Sequence, residues 1–105
     1  MNTVQKGSVR CMVFKDGNTW YAVALEFNIV EEGDNPTELM SSIIEAAQGH
    51  LEVVRKLNLP DDLLNRHAPK GYWDRYYKAV GEIKKNKRVT SPYNFLVFPY
   101  AARTF

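Results

Sequence analysis

The sequence predicts an α+β fold, in which an antiparallel sheet is covered on one face by a long helix. Two short runs of alternating apolar residues flank the turn sequence DGN at 16–18, a pattern typical of a β-hairpin. Apolar residues at helical spacing follow over 36–57, and a last apolar run, YNFLVFPY, lies at 93–100. We expect one domain, 1–105, because the chain is short.

The first two strands are predicted at 8–15 and 19–25, after a loose lead-in at 1–7. Successive side chains of a strand point to opposite faces. One face of the hairpin therefore carries Val9, Cys11, Val13, Trp20, Ala22 and Ala24, and the other carries Arg10, Met12, Phe14, Tyr21, Val23 and Leu25. Because two strands alone are marginally stable, we expect a third, and NIVEE at 28–32 is short and acidic enough to be an edge.

The long helix is predicted to begin within the sequence GDNPTE. Asn35 suits the N-cap, because its side chain can accept a hydrogen bond from an unpaired backbone N–H. Pro36 suits the first helical position, and the charge of Glu38 favours the positive end of the helix. Asn58 and Pro60 indicate where the helix ends.

A second helix is predicted over 72–85, YWDRYYKAVGEIKK, where apolar residues recur three and four positions apart. The last strand, at 93–100, is apolar on both faces, which indicates a buried or interface position, and Pro99 indicates its end or an edge. The predicted order is therefore β-β-β-α-α-β, with the first helix as the main layer on the sheet.

The charges are unevenly distributed, although the formal net charge of +2 is too small to indicate nucleic-acid binding. The acids of 26–62 are Glu26, Glu31, Glu32, Asp34, Glu38, Glu45, Glu52, Asp61 and Asp62, against Arg55 and Lys56. The bases of 66–90 are Arg66, Lys70, Arg75, Lys78, Lys84, Lys85, Lys87 and Arg88, against Asp74 and Glu82. This asymmetry indicates either internal complementarity between two halves or two surfaces with different partners.

Cysteine and histidine usage does not indicate a metal or redox centre. Cys11 is the single cysteine, and its place in an alternating apolar run is typical of a small buried hydrophobe. His50 and His67 have no cysteine or carboxylate at ligand spacing, and the six glycines form no phosphate-binding loop. We therefore expect no metal and no cofactor. No apolar run has the length of a signal peptide or a membrane span, so the expected compartment is the cytoplasm.

Three sets of residues are candidates for binding. Dense carboxylates can hold a divalent ion, act as an acid–base pair or meet a basic partner, but they also protect an edge strand: Glu26, Glu31, Glu32 and Asp34. A basic run after aromatic residues can track nucleic acid, but it also suits a helix C-terminus: Lys84, Lys85, Lys87 and Arg88. The last strand carries too many apolar side chains for a free terminus and predicts an oligomer interface: Phe95, Val97, Phe98 and Tyr100.

Residues 9–54 resemble the HicB-like antitoxin family. The matching features are the hairpin VRCMVFKDGNTWYAVALE with Asp16-Gly17 at its tip, the elbow EEGDNPTE, and the helix LMSSIIEAAQGHLEVV with Glu45-Ala46 near its middle and Glu52 near its end. The family usually has the sequence PGC between its second and third strands, where this chain has Phe27-Asn28-Ile29. The usual C-terminal DNA-binding tail is missing.

The resemblance implies a β-β-β-α-β core like a degraded ribonuclease H fold, without enzymatic activity of its own. It also implies a protein that self-associates and neutralises a small ribonuclease toxin. We therefore expect a non-enzymatic protein-interaction module that forms a homo-oligomer. Two alternatives stay open: a small nucleic-acid-binding module that uses the basic run at 84–88, and a small enzyme that uses the acidic elbow.

Overall fold

The computed structural model describes residues 1–84 and 94–101. Its elements are, in chain order, β1 (Lys6–Asp16), β2 (Thr19–Ala24), β3 (Ile29–Gly33), α1 (Pro36–Lys56), a short 3-10 helix (Asp61–Leu64), α2 (Lys70–Lys84) and β4 (Asn94–Ala101). This is the predicted order of strands and long helices, so the α+β class is confirmed.

The four strands form one antiparallel sheet in the order β3-β2-β1-β4. The turn between β1 and β2 is tight, because Asp16 pairs with Thr19 and only Gly17 and Asn18 lie between them. Gly17 has a φ of 64°, which a glycine adopts without steric cost. β3 is an edge strand, as predicted, and β4 forms the other edge.

Helix α1 packs on one face of the sheet. Its buried side chains are Leu39, Ile43, Ala47, Leu51 and Val54. They contact the small apolar residues of the two central strands, Val9, Cys11, Val13, Ala22 and Ala24. His50 also joins α1 to the short 3-10 helix, since its Nε2 atom lies 2.6 Å from the carbonyl oxygen of Leu63.

Helix α2 packs on the opposite face of the sheet, a position that the sequence did not predict. Met12, Phe14, Val23 and Leu25 of the sheet form a second apolar cluster with Ala68 and Tyr76. Tyr72, Trp73 and Val80 of α2 pack around this cluster. The sheet is therefore the middle of three layers, and its central strands are buried on both faces.

The N-terminal segment differs from the predicted loose lead-in. β1 begins at Lys6, and Asn2 is a buried residue with only 7% of its surface exposed. The side-chain amide of Asn2 is bonded to the backbone of Ser8 and Leu64, which attaches the segment to the body of the protein.

Neither helix that the model describes within 1–84 is both long and apolar enough to span a membrane.

Candidate functional site

The four acids of the predicted partner-binding set lie in different environments. Glu26 is buried, with 5% of its surface exposed. Glu31 faces the α1 side of β3, and its Oε1 atom is buried without a hydrogen-bond partner among the described residues. Glu32 is exposed on the opposite face, and Asp34 is exposed at the entry to α1. Glu26 thus departs from the predicted surface set, and the other three acids stay at the β3 edge.

Glu26 is buried as one partner of an ion pair with Arg10. One oxygen of the Glu26 carboxylate accepts a hydrogen bond from the Arg10 guanidinium at 2.5 Å, and the other accepts the Arg10 backbone N–H at 2.8 Å. Burial lowers the pKa of Arg10, but the hydrogen bond and the charge of Glu26 raise it above its ordinary value. A buried carboxylate persists where it is paired and hydrogen-bonded in this way.

The predicted interface set on β4 is divided between the two faces of the sheet. Phe98 and Tyr100 pack against the α1 cluster, and the Tyr100 hydroxyl donates to the Thr3 carbonyl oxygen at 2.8 Å. Val97 points to the opposite face and is 49% exposed, and its neighbour Leu96 is 38% exposed. The side chain of Phe95 lies outside the described residues.

The predicted nucleic-acid-binding run also lies outside the part of the chain that the structure describes. This applies to the side chain of Lys84 and to the whole of Lys85, Lys87 and Arg88.

A polar cleft lies beside α2, on the sheet face opposite α1. Its volume is about 520 Å³. Five segments line it, and four of them are the N-terminus with Asn2, β1 with Arg10, the loop that carries Asn65 and His67, and α2 with Trp73 and Tyr77. Glu26 also lines the cleft, so the Arg10–Glu26 pair belongs to its wall.

Asn2 and Asn65 hold one wall of the cleft in place. The backbone N–H of Asn2 donates to the side-chain oxygen of Asn65 at 2.8 Å, and the Asn65 amide donates back to the Asn2 carbonyl at 2.8 Å. The Asn2 side chain also donates to the carbonyl oxygens of Ser8 and Leu64 and accepts the Ser8 backbone N–H. Five hydrogen bonds therefore connect the N-terminus, β1 and the segment 64–65 on this side of the cleft.

Three aromatic rings form the other wall. His67 stacks on Trp73 with ring centroids 5.1 Å apart, and Trp73 lies 5.8 Å from Tyr77. Tyr77 is 58% exposed, and the Arg10 guanidinium lies 6.0 Å from the centroid of the Trp73 ring. The indole N–H of Trp73 is buried and has no acceptor among the described residues. The arrangement places a cation beside a row of aromatic rings whose two end residues, His67 and Tyr77, are exposed.

The sequence predictions missed every cleft residue except Glu26. Asn2 and Asn65 are 63 positions apart and lie in segments expected to be irregular, so no local pattern relates them. The available clue was Arg10, a charged residue on the strand face that also carries Met12 and Phe14. An arginine on such an apolar face needs a counter-ion, and a carboxylate near the paired strand was the natural candidate.

No group of three or more His, Cys, Asp or Glu side chains suited to a metal ion occurs within residues 1–84 and 94–101. Cys11 is fully buried, and its burial, with the nearby charge of Glu26, raises the pKa of its thiol from 9.0 to about 11. The thiol is therefore protonated near neutral pH and is a poor nucleophile.

Comparisons of the chain with protein-family models, with curated proteins and with solved structures found no significant match.

Proposed function

We propose that the chain is a non-enzymatic, HicB-like protein-interaction module that pairs with a second copy of itself through strand β4. The observation that carries this proposal is the difference between the two edges of the sheet. β3 has five residues, IVEEG, and two of them are glutamates. β4 has eight residues, NFLVFPYA, and none of them is charged.

An edge strand presents unpaired backbone N–H and C=O groups, and charged side chains or short length normally discourage pairing with another chain. β3 has both kinds of protection, while β4 has only Pro99, which lacks an N–H. β4 also exposes Leu96 on one face and Val97 on the other. A second apolar strand would cover backbone groups and side chains together.

The partner that best fits such a strand is another β4. Two antiparallel copies related by a two-fold axis are self-complementary. If one β4 residue contacts a second β4 residue of the partner, that second residue makes the same contact in return. Such pairing would join two four-stranded sheets into one continuous sheet. It would leave α1 of both copies on one side and α2 of both copies on the other.

Light scattering coupled to size-exclusion chromatography tests this proposal. We expect the parent chain to be a dimer and the variant Val97→Lys to be a monomer, because two ammonium groups would meet near the two-fold axis. Val53→Lys is the matched control, since Val53 is 50% exposed on α1 and Val97 is 49% exposed on β4. We expect this control to remain a dimer.

Two results would contradict self-association through β4. One is a parent chain that is monomeric at high concentration. The other is a Val97→Lys variant that dimerises as tightly as Val53→Lys. A Val97→Lys variant that fails to fold is recognised by circular dichroism, and Leu96→Lys then takes its place, since Leu96 is also exposed on β4.

The HicB-like resemblance of residues 9–54 adds a heterologous partner to the proposal, a small toxin protein. Co-expression of the chain with the product of the adjacent reading frame tests this part. We expect the two proteins to purify together and the toxin activity to be suppressed. Failure to find a complex would remove the toxin partner and leave self-association to be judged by its own experiment.

A further inference from the structure

The exposed acids of α1 and the bases of α2 lie on opposite faces of the sheet. On α1 the exposed acids Glu38, Glu45 and Glu52 recur every seven residues. The bases of 70–78 lie on α2, across the sheet. None of the three salt bridges of the described residues joins the acidic segment 26–62 to the basic segment 66–90. Between the alternatives that the sequence left open, the described residues favour two separate surfaces.

The cleft beside α2 lies on the basic side. Its cationic group is Arg10, whose side chain keeps 36% of its surface exposed although its Nη1 atom is bonded to Glu26. A guanidinium has five N–H donors in a planar fork, so one salt bridge leaves capacity for a further acceptor. Two further bases are exposed next to cleft residues in the sequence: Arg66 precedes His67, and Lys78 follows Tyr77.

The cleft also offers flat apolar surface beside this charge. His67 stacks on Trp73, and the ring of Tyr77, tilted by 31° against Trp73, is 58% exposed. An exposed tyrosine ring next to basic side chains is the combination on which nucleic-acid bases stack.

We propose that this cleft binds a nucleotide, with the base stacked on the aromatic wall at Tyr77 and the phosphate bonded to Arg10. The ligand class is a planar heterocycle that carries a phosphate, whether it is free or part of a single-stranded nucleic acid. The proposal is independent of the β4 dimer, because the cleft is complete within one copy of the chain.

The burial of Glu26 and its pairing with Arg10 disfavour a cationic ligand. Both of its carboxylate oxygens already accept hydrogen bonds from Arg10, and the residue is 5% exposed. The pair is formally neutral, so the exposed part of the Arg10 guanidinium supplies the local donors. Aromatic rings alone would also accept a neutral ring, so the phosphate and the base have to be tested separately.

The two tryptophans provide an internal comparison, because they lie on opposite faces of the sheet. Trp73 lines the cleft, while Trp20 packs against the α1 cluster. In a heteronuclear NMR titration of the isotope-labelled full chain, the two indole N–H resonances are assigned with Trp20→Phe. We expect adenosine monophosphate to shift the Trp73 resonance saturably and to leave the Trp20 resonance in place.

The same titration compares the affinities of the whole nucleotide, its nucleoside part and its phosphate part. We expect adenosine alone and inorganic phosphate alone each to bind at least about tenfold more weakly than adenosine monophosphate, since each lacks one of the two contacts. A short single-stranded oligonucleotide distinguishes the sources. Tighter binding of the oligonucleotide than of the mononucleotide indicates a nucleic acid, and equal binding indicates a free nucleotide.

Variants separate the contribution of the Tyr77 ring to nucleotide affinity from the contribution of the Arg10 charge. We expect Tyr77→Ala to weaken binding of the mononucleotide about tenfold and Tyr77→Phe to preserve it. Leu57→Ala is the control, because Leu57 is 62% exposed at the C-terminal end of α1, away from the cleft.

The double variant Arg10→Gln, Glu26→Gln tests the charge. It removes the ion pair but leaves two side chains that can hydrogen-bond to each other. In this variant adenosine monophosphate should bind no more tightly than adenosine.

Three results would overturn the proposal. The first is a Trp73 resonance that does not shift saturably with any of the nucleotide probes, or that shifts only together with Trp20. The second is inorganic phosphate that binds as tightly as the mononucleotide, which would mean an adventitious ion only. The third is unchanged affinity in Tyr77→Ala. If the double variant does not fold, the Tyr77 variants still test the base contact, and the comparison of adenosine monophosphate with adenosine still tests the phosphate contact.

Discussion

Two ion pairs of similar chemistry differ in their surroundings. The side chains of Arg10 and Glu26 are 36% and 7% exposed, while those of Lys70 and Asp74 are 88% and 60% exposed. An exposed pair stabilises a protein by well under about 1 kcal/mol, because water and salt screen it. Loss of one partner from a buried pair is more damaging, since the remaining charge is left desolvated.

We expect Glu26→Gln to lower the free energy of unfolding by about 2–3 kcal/mol, a value at the low end for buried pairs because Arg10 is partly exposed. Asp74→Asn should lower it far less, because both side chains of the Lys70–Asp74 pair are exposed to water. Chemical denaturation of both variants at neutral pH provides the measurement. Equal losses in the two variants would mean that burial of Glu26 does not set the strength of its pair.

The Arg10–Glu26 contact was only partly predictable from the sequence. A two-residue turn at Gly17 and Asn18 fixes the register, so that Cys11 faces Ala24, and this brings Arg10 close to the segment that contains Glu26. What the sequence did not reveal was which side chains become buried there. That depends on α2, whose position is set by packing and not by a local pattern.

At the scale of elements, the beginning of α1 follows its sequence pattern closely. The Oδ1 atom of Asn35 accepts the backbone N–H groups of Thr37 and Glu38 at 3.0 and 3.1 Å, and Pro36 is the first helical residue. These bonds satisfy donors that lack a partner within the helix. The N-cap and the first helical position were therefore predicted correctly.

We expect Asn35→Ala to lower the free energy of unfolding by about 1 kcal/mol, because both backbone N–H groups lose their acceptor. Asn35→Ser should change it by only a few tenths of a kcal/mol, since serine also caps helices well. Thermal or chemical unfolding followed by circular dichroism measures both. An alanine variant as stable as the serine variant would show that solvent replaces the cap without cost.

The position of α2 illustrates what a pattern of apolar residues leaves undetermined. The aromatic spacing over 72–85 predicted a helix, and α2 covers Lys70–Lys84. The clue to its packing was present in β1, where Met12 and Phe14 make the second face as apolar as the first. A strand that is apolar on both faces needs cover on both, and α2 provides the second layer.

At the scale of the whole molecule, the cleft was beyond prediction because it is assembled from five separate segments. Asn2, Arg10, Asn65 and Trp73 come together only once the sheet, the loop and α2 are in place. Each of these residues also has an ordinary role when considered alone, in a turn, on a strand face or in a helix core. Their common location is a property of the tertiary structure.

Self-association through β4 predicts that stability depends on protein concentration. A dimer that unfolds to separate chains is stabilised by mass action. We therefore expect the midpoint of thermal unfolding of the parent chain to rise with concentration, and that of Val97→Lys to stay constant. Differential scanning calorimetry over a wide concentration range measures this. A parent midpoint that does not change with concentration would contradict the dimer.

The pairing of β1 with β4 also has a consequence for synthesis on the ribosome. β1 pairs with β2 only two residues further along the chain, but its other partner is β4, and Lys6 pairs with Ala101. The hairpin and α1 can form before residues 94–101 are synthesised, whereas the second side of β1 stays unpaired until those residues emerge. We expect docking of β4 to be a late step, during which the unpaired edge of β1 is open to wrong pairing.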